Sequence, residues 1–295
     1  MAETLTLPRR VGGATRITPD RWAAQRAAVK EAGDRFAELV AAADPRAMAT
    51  ADWTVAETAA HVAAYAWSYT AMAVSDDAPV PLPGVKTRLL TTTVDNIHAG
   101  MNAAILRDYA ERDPRAVLTR LRGSIDELLA STADADPARI VTWLGGSRLP
   151  VAGLLAHLAN ELHIHGWDVA RAVRAPWRIP HEDAALFFEL FMTEMARNGV
   201  GSILDDDRPI RRGRIAVEFR SAYTRPATIV LDDGQVTLEE PSRDNDVRVY
   251  FRPTTLNLVL FHRVSRKRAA LAGDLRIWGR RPWLLAPFLR KIRLP

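Results

Sequence analysis

The chain of 295 residues contains no cysteine, and this absence excludes three kinds of chemistry from its own side chains. Disulfide bridges, thiolate zinc sites and a cysteine nucleophile all require a sulfur atom that the sequence does not supply. Any thiol chemistry carried out by this protein must therefore use the sulfur of a small molecule.

The sequence also lacks segments that direct a protein into or across a membrane. Its first residues, MAETLTLPRRVGG, include an acidic side chain and no apolar stretch typical of a secretory signal. No apolar run approaches the roughly 20 residues that span a bilayer. We therefore expect a soluble, cytoplasmic protein with no membrane partner.

Charge is nearly balanced, with a formal net charge of +5. The basic excess is concentrated in residues 262–295, which hold ten Lys and Arg side chains and one acidic side chain. Such a segment can attract an acidic ligand or nucleic acid. Because the interleaved basic and aromatic residues of a known nucleic-acid module are missing, we expect solvated charge and no nucleic-acid partner.

The chain is organised around residues 150–174, PVAGLLAHLANELHIHGWDVARAVR. Apolar residues recur there at helical spacing, which predicts a core-facing helix. The same stretch carries five histidine or acidic side chains: His157, Glu161, His163, His165 and Asp168. Because unpaired charges in an apolar core are costly, we expect these groups to be paired or bound to a metal ion.

Glu161 and His165 can point at a single atom, because they lie one turn apart and about 40° apart around the helix axis. Catalytic zinc typically takes three protein ligands from His and carboxylate side chains and keeps one position open. His61, on another helix, or His157, one turn before Glu161, could supply the third ligand. His163 lies about 160° from Glu161 and is predicted to face elsewhere.

Caps and amphipathic patterns predict further long helices in the first 200 residues, after an irregular lead-in over residues 1–17. Thr18-Pro19-Asp20 begins one helix, and Thr54 and Glu57 form a capping box at the start of another. Other helices are predicted over residues 86–111, 115–131 and 180–198. Bundles of antiparallel helices hold metal sites in their cores. We therefore predict an all-α, metal-binding antiparallel bundle over residues 15–200.

A different pattern follows a predicted linker over residues 199–213. Alternating apolar residues predict strands, with a hairpin turn at Asp233-Gly234. The predicted strands cover residues 215–219, 228–240, 247–252 and 271–279. Helices are predicted over residues 254–264 and 282–292. This pattern predicts a small α+β domain over residues 214–295.

Two segments resemble a known family. DWTVAETAAH (52–61) and ELHIHGWDVARA (161–172) are similar to the two conserved elements of the mycothiol-dependent maleylpyruvate isomerase family, which belongs to the DinB-like metal-binding bundles. The resemblance implies that His61, Glu161 and His165 are the metal ligands. Family members often carry a second domain resembling sterol carrier protein, and residues 214–295 resemble it in strand pattern and in Gly-Asp-Leu at 273–275.

The resemblance implies a metalloenzyme that uses the thiol of mycothiol as cosubstrate. Coordination to a divalent ion lowers the pKa of a thiol and makes it nucleophilic at neutral pH. In an isomerase, the thiolate adds to the cis double bond of a small electrophilic substrate, and elimination after rotation leaves the trans isomer. In an S-transferase, the sulfur stays attached. Zinc is expected, although two His and one carboxylate also suit Fe(II), and nickel stays open.

Two alternatives follow from the same residues. A metal-dependent hydrolase or lyase would use bound water at the open position and no thiol. A non-enzymatic binding protein would hold an apolar ligand in its C-terminal domain. Metal content would separate the binding protein from the two kinds of enzyme. Reaction with mycothiol would separate the mycothiol-dependent enzyme from the hydrolase or lyase.

Several neighbouring residues receive weaker assignments. Asp168 could orient a ligand His or contact Arg171. Trp53 and Trp167 are predicted to be core anchors, and His98 is interpreted as structural. An acidic substrate would need an arginine, for which the C-terminal domain offers Arg220, Arg276 and Arg280.

Overall fold

The N-terminal part of the protein is helical. In the computed structural model, which describes residues 16–293, the helices numbered along the chain are α1 (Pro19–Ala42), α2 (Val55–Val74), α3 (Pro83–Arg88), α4 (Ala103–Asp108), α5 (Pro114–Ser131), α6 (Val151–Val173), α7 (His181–Leu186) and α8 (Glu194–Asn198). Residues 1–15 of the predicted lead-in (1–17) lie outside the described range, as do the last two residues of the predicted α+β domain.

The predicted helix starts are confirmed by their caps. The Thr18 hydroxyl accepts a hydrogen bond from the Arg21 backbone N–H at the start of α1. Both bonds of the capping box between Thr54 and Glu57 are present at the start of α2. These caps satisfy backbone groups that the first helical turn leaves unpaired. The long helices α1 and α2 each pack against both α5 and α6.

The prediction of one helix over residues 86–111 is wrong. The chain leaves α3 at Arg88 and resumes helical structure in a π-helical turn, His98–Asn102, that leads into α4. Between them, Asn96 Oδ1 accepts from the Thr93 backbone N–H at 2.9 Å, and Asn96 Nδ2 donates to the Thr91 carbonyl at 3.0 Å. The Asn96 side chain thus offers the backbone hydrogen bonds that compete with helical ones, and the helix does not continue through this stretch.

Two shorter departures from prediction lie on either side of α6. A hairpin of β1 (Ile140–Thr142) and β2 (Arg148–Pro150) precedes α6, in a stretch for which no strand was predicted. The helix predicted over 180–198 is present as α7 and α8, joined by a π-helical stretch over Phe187–Thr193.

The C-terminal part is built on a five-stranded sheet. Its strands are β3 (Ile215–Arg220), β4 (Ala227–Asp232), β5 (Gln235–Glu239), β6 (Val247–Phe251) and β7 (Leu275–Trp278), in the order β5-β4-β3-β6-β7. Only the β3–β6 pair is parallel among these. The predicted hairpin is confirmed, because Asp233 and Gly234 have φ values of 46° and 84°, as a type I′ turn requires.

Three helices accompany the sheet: α9 (Pro253–Leu260), α10 (Arg266–Leu271) and α11 (Leu285–Lys291). Helix α9 joins the two parts of the protein. Its Asn257 Nδ2 donates to Asn160 Oδ1 of α6 at 2.5 Å, and its Thr254 hydroxyl lies 2.7 Å from His181 Nδ1 of α7. The segment after α9 therefore lies beside the polar side chains of α6.

No helix within residues 16–293 has the length and apolarity required to span a bilayer.

Candidate metal centre

Helix α6 carries the predicted donors through the middle of the molecule. Its leucines at 154, 155, 158 and 162 are fully buried, which anchors the helix between α1, α2 and the π-helical stretch. This packing holds Glu161 and His165, one turn apart, at the bottom of a cavity. Both side chains are buried, as is His61 on α2.

His61, Glu161 and His165 converge. The Nε2 atoms of His61 and His165 lie 3.2 Å and 3.4 Å from the same carboxylate oxygen, Glu161 Oε2. One donor atom from each of the three side chains lies within 4.8 Å of the others. The structure therefore brings together the three residues that the sequence singled out, from two separate helices.

The separations between these donor atoms suit a divalent ion. Donors bound tetrahedrally at about 2.1 Å lie about 3.4 Å from one another. The two distances to Glu161 Oε2 match that spacing. Two imidazole nitrogens and one carboxylate oxygen also form a donor set typical of catalytic zinc, so the residues present fit the ion.

The electrostatics of the cluster favour a positive charge among the donors. Burial alone would raise the pKa of Glu161, but the imidazoles of His157, His165 and His61 outweigh burial and hold its pKa well below the usual range. Burial lowers the pKa of His61 to about 4, so its imidazole is neutral and able to coordinate. Burial would also lower the pKa of His165, but Asp168 and Glu161 raise it to about 9.

His157, the alternative third ligand, occupies a different place. Its Nε2 lies 3.6 Å from Glu161 Oε1, the carboxylate oxygen that does not face His61 and His165. Its Nδ1 lies 2.9 Å from the Tyr69 hydroxyl, which in turn accepts a hydrogen bond from Trp143 Nε1 at 2.9 Å.

The contacts of His157 involve both ring nitrogens. The Tyr69 oxygen accepts from Trp143, and its own proton can be donated to His157 Nδ1. Burial lowers the pKa of His157 and so favours its neutral form. Its Nε2 faces Glu161 Oε1 at 3.6 Å, a distance longer than a hydrogen bond, and leaves Glu161 Oε2 to the cluster.

Two further side chains of α6 are accounted for. His163 faces away from the cluster, as predicted, and its Nε2 lies 2.8 Å from Asp183 Oδ2. Asp168 lies 3.4 Å from His165 Nδ1 and forms two hydrogen bonds with Arg263, of 3.0 Å and 2.6 Å. Of the two roles considered for Asp168, orienting a ligand His is the one that this contact supports.

The cluster opens into a cavity of about 460 Å³ between the helical part and the segment after α9. Trp53, Trp143 and Phe191 contribute aromatic walls from the helical part. Phe261, His262 and Arg263 close it from the C-terminal part. A concave, mostly apolar site with a few converging polar groups is the usual form of a small-molecule site.

Comparison with protein families assigns the helical part. Residues 26–170 match the model of the mycothiol maleylpyruvate isomerase N-terminal domain. These residues therefore form an N-terminal domain of the mycothiol maleylpyruvate isomerase family. The matched range includes His61, Glu161 and His165.

Two solved structures resemble this chain over most of their length. One is a mycothiol-dependent maleylpyruvate isomerase, at 16% identity and a TM-score of 0.49, and the other is a mutant of such an enzyme, at 14% and 0.46. Each comparison covers 83% of this chain and 90% of the other. No curated protein matched the chain.

The arginines predicted for substrate binding do not line the cavity. Arg220 pairs with Glu218, Arg280 donates to the Asp244 carbonyl, and Arg276 donates to the Gly273 carbonyl, all within the C-terminal part. Arg263 lines the cavity instead. No sequence motif identifies Arg263 as a cavity residue. It lies there because residues 261–263, directly after α9, pack beside α6.

Two aromatic residues also differ from prediction. Trp53 is a half-buried cavity wall rather than a core anchor, with its ring centroid 4.6 Å from that of His61. His98, which was interpreted as structural, is exposed at the rim of the cavity, where its ring stacks on Trp53 at 5.7 Å and its Nε2 lies 3.4 Å from Asp52 Oδ2. Both lie close to the ligand cluster only because α2 and the π-helical turn meet there.

Proposed function

We propose that this protein is a mycothiol-dependent enzyme of the isomerase type that acts on a small electrophile, with His61, Glu161 and His165 holding a divalent ion. The observation that carries the proposal is the convergence of these three donors at the bottom of an open cavity, within a domain of the mycothiol maleylpyruvate isomerase family. Zinc is the ion that best suits two imidazoles and a carboxylate in this spacing.

The ion would supply the one function that the chain's own residues cannot. A divalent ion lowers the pKa of a coordinating thiol, which makes the thiol of mycothiol a nucleophile at neutral pH. The chain contains no cysteine, so no protein thiol competes for the site.

The remaining roles belong to named side chains. Nε2 of His157 lies 3.6 Å from Glu161 Oε1, and we assign to His157 the role of orienting that carboxylate. Asp168 orients His165, and Arg263 in turn holds Asp168. The aromatic walls remove water from around the donors, which strengthens electrostatic interactions inside the cavity.

Isomerase and transferase activities differ in the fate of the thiol. In isomerisation, mycothiol adds to the activated double bond and leaves again after rotation, so none is consumed. In S-transfer, each turnover consumes one mycothiol. We propose isomerisation as the primary activity, and a transferase is the alternative that the same site would support.

The proposal includes the division of the chain. We infer a DinB-like metal-binding bundle over residues 15–200 and a domain resembling sterol carrier protein over residues 214–295, in a cytoplasmic enzyme. The long helices α1 and α5, which pack against the donor-bearing helices α2 and α6, support the first assignment. The five-stranded sheet with helices α9 to α11 supports the second.

Metal analysis tests the ligand set. We expect about one equivalent of divalent ion per chain in the purified protein, since each site takes one ion. His61→Ala and His165→Ala should lose it. His163→Ala is the matched control, because His163 is a buried His of the same helix that contacts Asp183 rather than the cluster. Equal metal content in all four proteins would overturn the proposed ligands.

Mycothiol dependence tests the reaction type. A cis-enone substrate should be isomerised only when mycothiol is present, with the mycothiol concentration unchanged at the end. Stoichiometric loss of the thiol would identify a transferase. Conversion at equal rates with and without mycothiol would favour the thiol-independent hydrolase or lyase.

A further inference from the structure

The cavity above the donors has a continuous aromatic wall. The rings of Trp143 and Phe191 lie 5.0 Å apart edge to face, and those of Phe191 and Phe187 stack at 5.0 Å. The ring centroids of Phe187 and Phe261 lie 6.0 Å apart, so the wall extends from the helical part to the segment after α9. All four rings line the cavity. Such a surface favours a planar, apolar body over a hydrated one.

Charges in the cavity are already nearly balanced by its own residues. Three carboxylates line it, those of Asp52, Glu161 and Asp168. The Asp52 side chain is 64% exposed, so water screens its charge. The two buried carboxylates oppose Arg263 and the divalent ion of the proposed function. One positive charge then remains, and the thiolate of mycothiol neutralises it.

Arg263 has little capacity left for a second anion. Its Nε and Nη2 atoms bind the two oxygens of Asp168, and its Nη1 donates to the Phe261 carbonyl at 2.5 Å. The edge of the guanidinium formed by Nε and Nη2 is therefore occupied, and three of its five N–H groups are used. Among the residues that the structure describes, no lysine and no second arginine lines this cavity.

We infer that this site selects an electrophile with a planar, apolar body and at most one carboxylate, and that it disfavours dicarboxylates. The inference rests on the proposed function. A dicarboxylate would place two uncompensated charges beside the thiolate and against an aromatic wall, where unpaired charge is costly. An uncharged or singly charged electrophile of the same shape avoids this cost and uses the wall.

Equilibrium binding of unreactive ligands tests the inference. The probes are phenylsuccinate, its monomethyl ester and its dimethyl ester, titrated calorimetrically into the metal-loaded protein. Saturating 2-mercaptoethanol, an uncharged thiol, occupies the open position of the ion. At about pH 8, phenylsuccinate is a dianion. We expect both esters to bind at least about tenfold more tightly than the dianion, a difference of about 1.4 kcal/mol.

Variants connect the order of affinities to named residues. Asp168→Asn frees the guanidinium of Arg263 and removes one negative charge, so it should raise the affinity for the dianion relative to the diester by about tenfold. Arg280→Gln removes a cation outside the cavity and should leave the ratio unchanged. Phe261→Ala, which shortens the wall, should weaken all three ligands.

Two outcomes would overturn the inference. One is binding of the dianion as tight as that of the esters, and the other is the absence of binding by any of the three ligands. Because the probes are unreactive and mycothiol is omitted, neither outcome bears on whether the protein turns over a substrate with mycothiol. Failure of the mycothiol assay would likewise leave the measured order of affinities intact.

Discussion

Two buried glutamates, one in each part of the molecule, show how the same side chain serves different purposes. Glu218 lies on the central strand β3 and is fully buried. Its oxygens accept hydrogen bonds from Arg220 at 2.6 Å, from Arg248 at 3.1 Å and from Asn245 at 3.3 Å. Permanent cations and an amide satisfy this carboxylate, so Glu218 links strands and stabilises the sheet.

Glu161 is buried to a similar degree but has partners of another kind. Its ion-pair partners are the imidazoles of His61, His157 and His165. Imidazoles can release their protons and coordinate metal, whereas guanidinium groups cannot. The contrast indicates that the partners of a buried acid, rather than its burial, distinguish a candidate metal site from a structural ion pair.

The largest expected effect is on metal affinity in Glu161→Gln. The amide removes the negative charge from the donor set while keeping its size, so affinity should fall by more than about 100-fold, beyond the range of losses caused by changing the residues that orient ligands. Competition with a chromophoric chelator measures it. Glu218→Gln is the matched control and should bind the ion as the parent does. Unchanged affinity in Glu161→Gln would remove the basis of the comparison.

Glu218→Gln should instead reduce the free energy of unfolding. Removing one partner of a buried ion pair leaves the other charges uncompensated. Because the Arg220 side chain is 48% exposed and partly solvated, we expect a loss of about 2–3 kcal/mol rather than the full penalty. Urea unfolding of the metal-free proteins measures it. An equal or larger loss in metal-free Glu161→Gln would show that both glutamates are structural.

The smallest expected effect is that of Tyr69→Phe. Without the hydroxyl, His157 Nδ1 loses its hydrogen-bond partner, so the ring beside Glu161 and the carboxylate that we propose it orients are held less firmly. Metal affinity should fall by about tenfold, the lower end of the effect of such orienting residues. Tyr109→Phe is the control, because Tyr109 packs against Trp67 outside the cavity. A Tyr69→Phe protein with parental affinity would exclude His157 from orienting the ligand.

Local signals in the sequence predicted much of the fold. The caps at Thr18 and Thr54 and the turn at Asp233-Gly234 act within a few residues, and the structure confirms all three. The same reasoning failed over residues 86–111, where apolar spacing predicted a helix. There, bonds of Asn96 to nearby backbone outweigh the apolar pattern.

The sequence predicted only some residues of the candidate site, for a related reason. Glu161 and His165 share one helix, so their spacing alone relates them. Arg263 and Tyr69 are far from them in sequence, at the end of α9 and within α2, and no spacing connects these residues to Glu161. Arg220 and Arg280 were plausible by residue type, but Glu218 on β3 and the Asp244 carbonyl, between β5 and β6, hold them away from the cavity.

By itself, the sequence determined that thiol chemistry must come from a small molecule, that Glu161 and His165 face the same side of a helix, and where the main helices and the hairpin begin. Only the tertiary structure decided that His61 approaches that pair, that His157 lies beside the other oxygen of the Glu161 carboxylate, and that Arg263 is bound by Asp168. The reason is physical: helical periodicity relates residues on one element, whereas contacts between elements depend on how the helices and the sheet pack together.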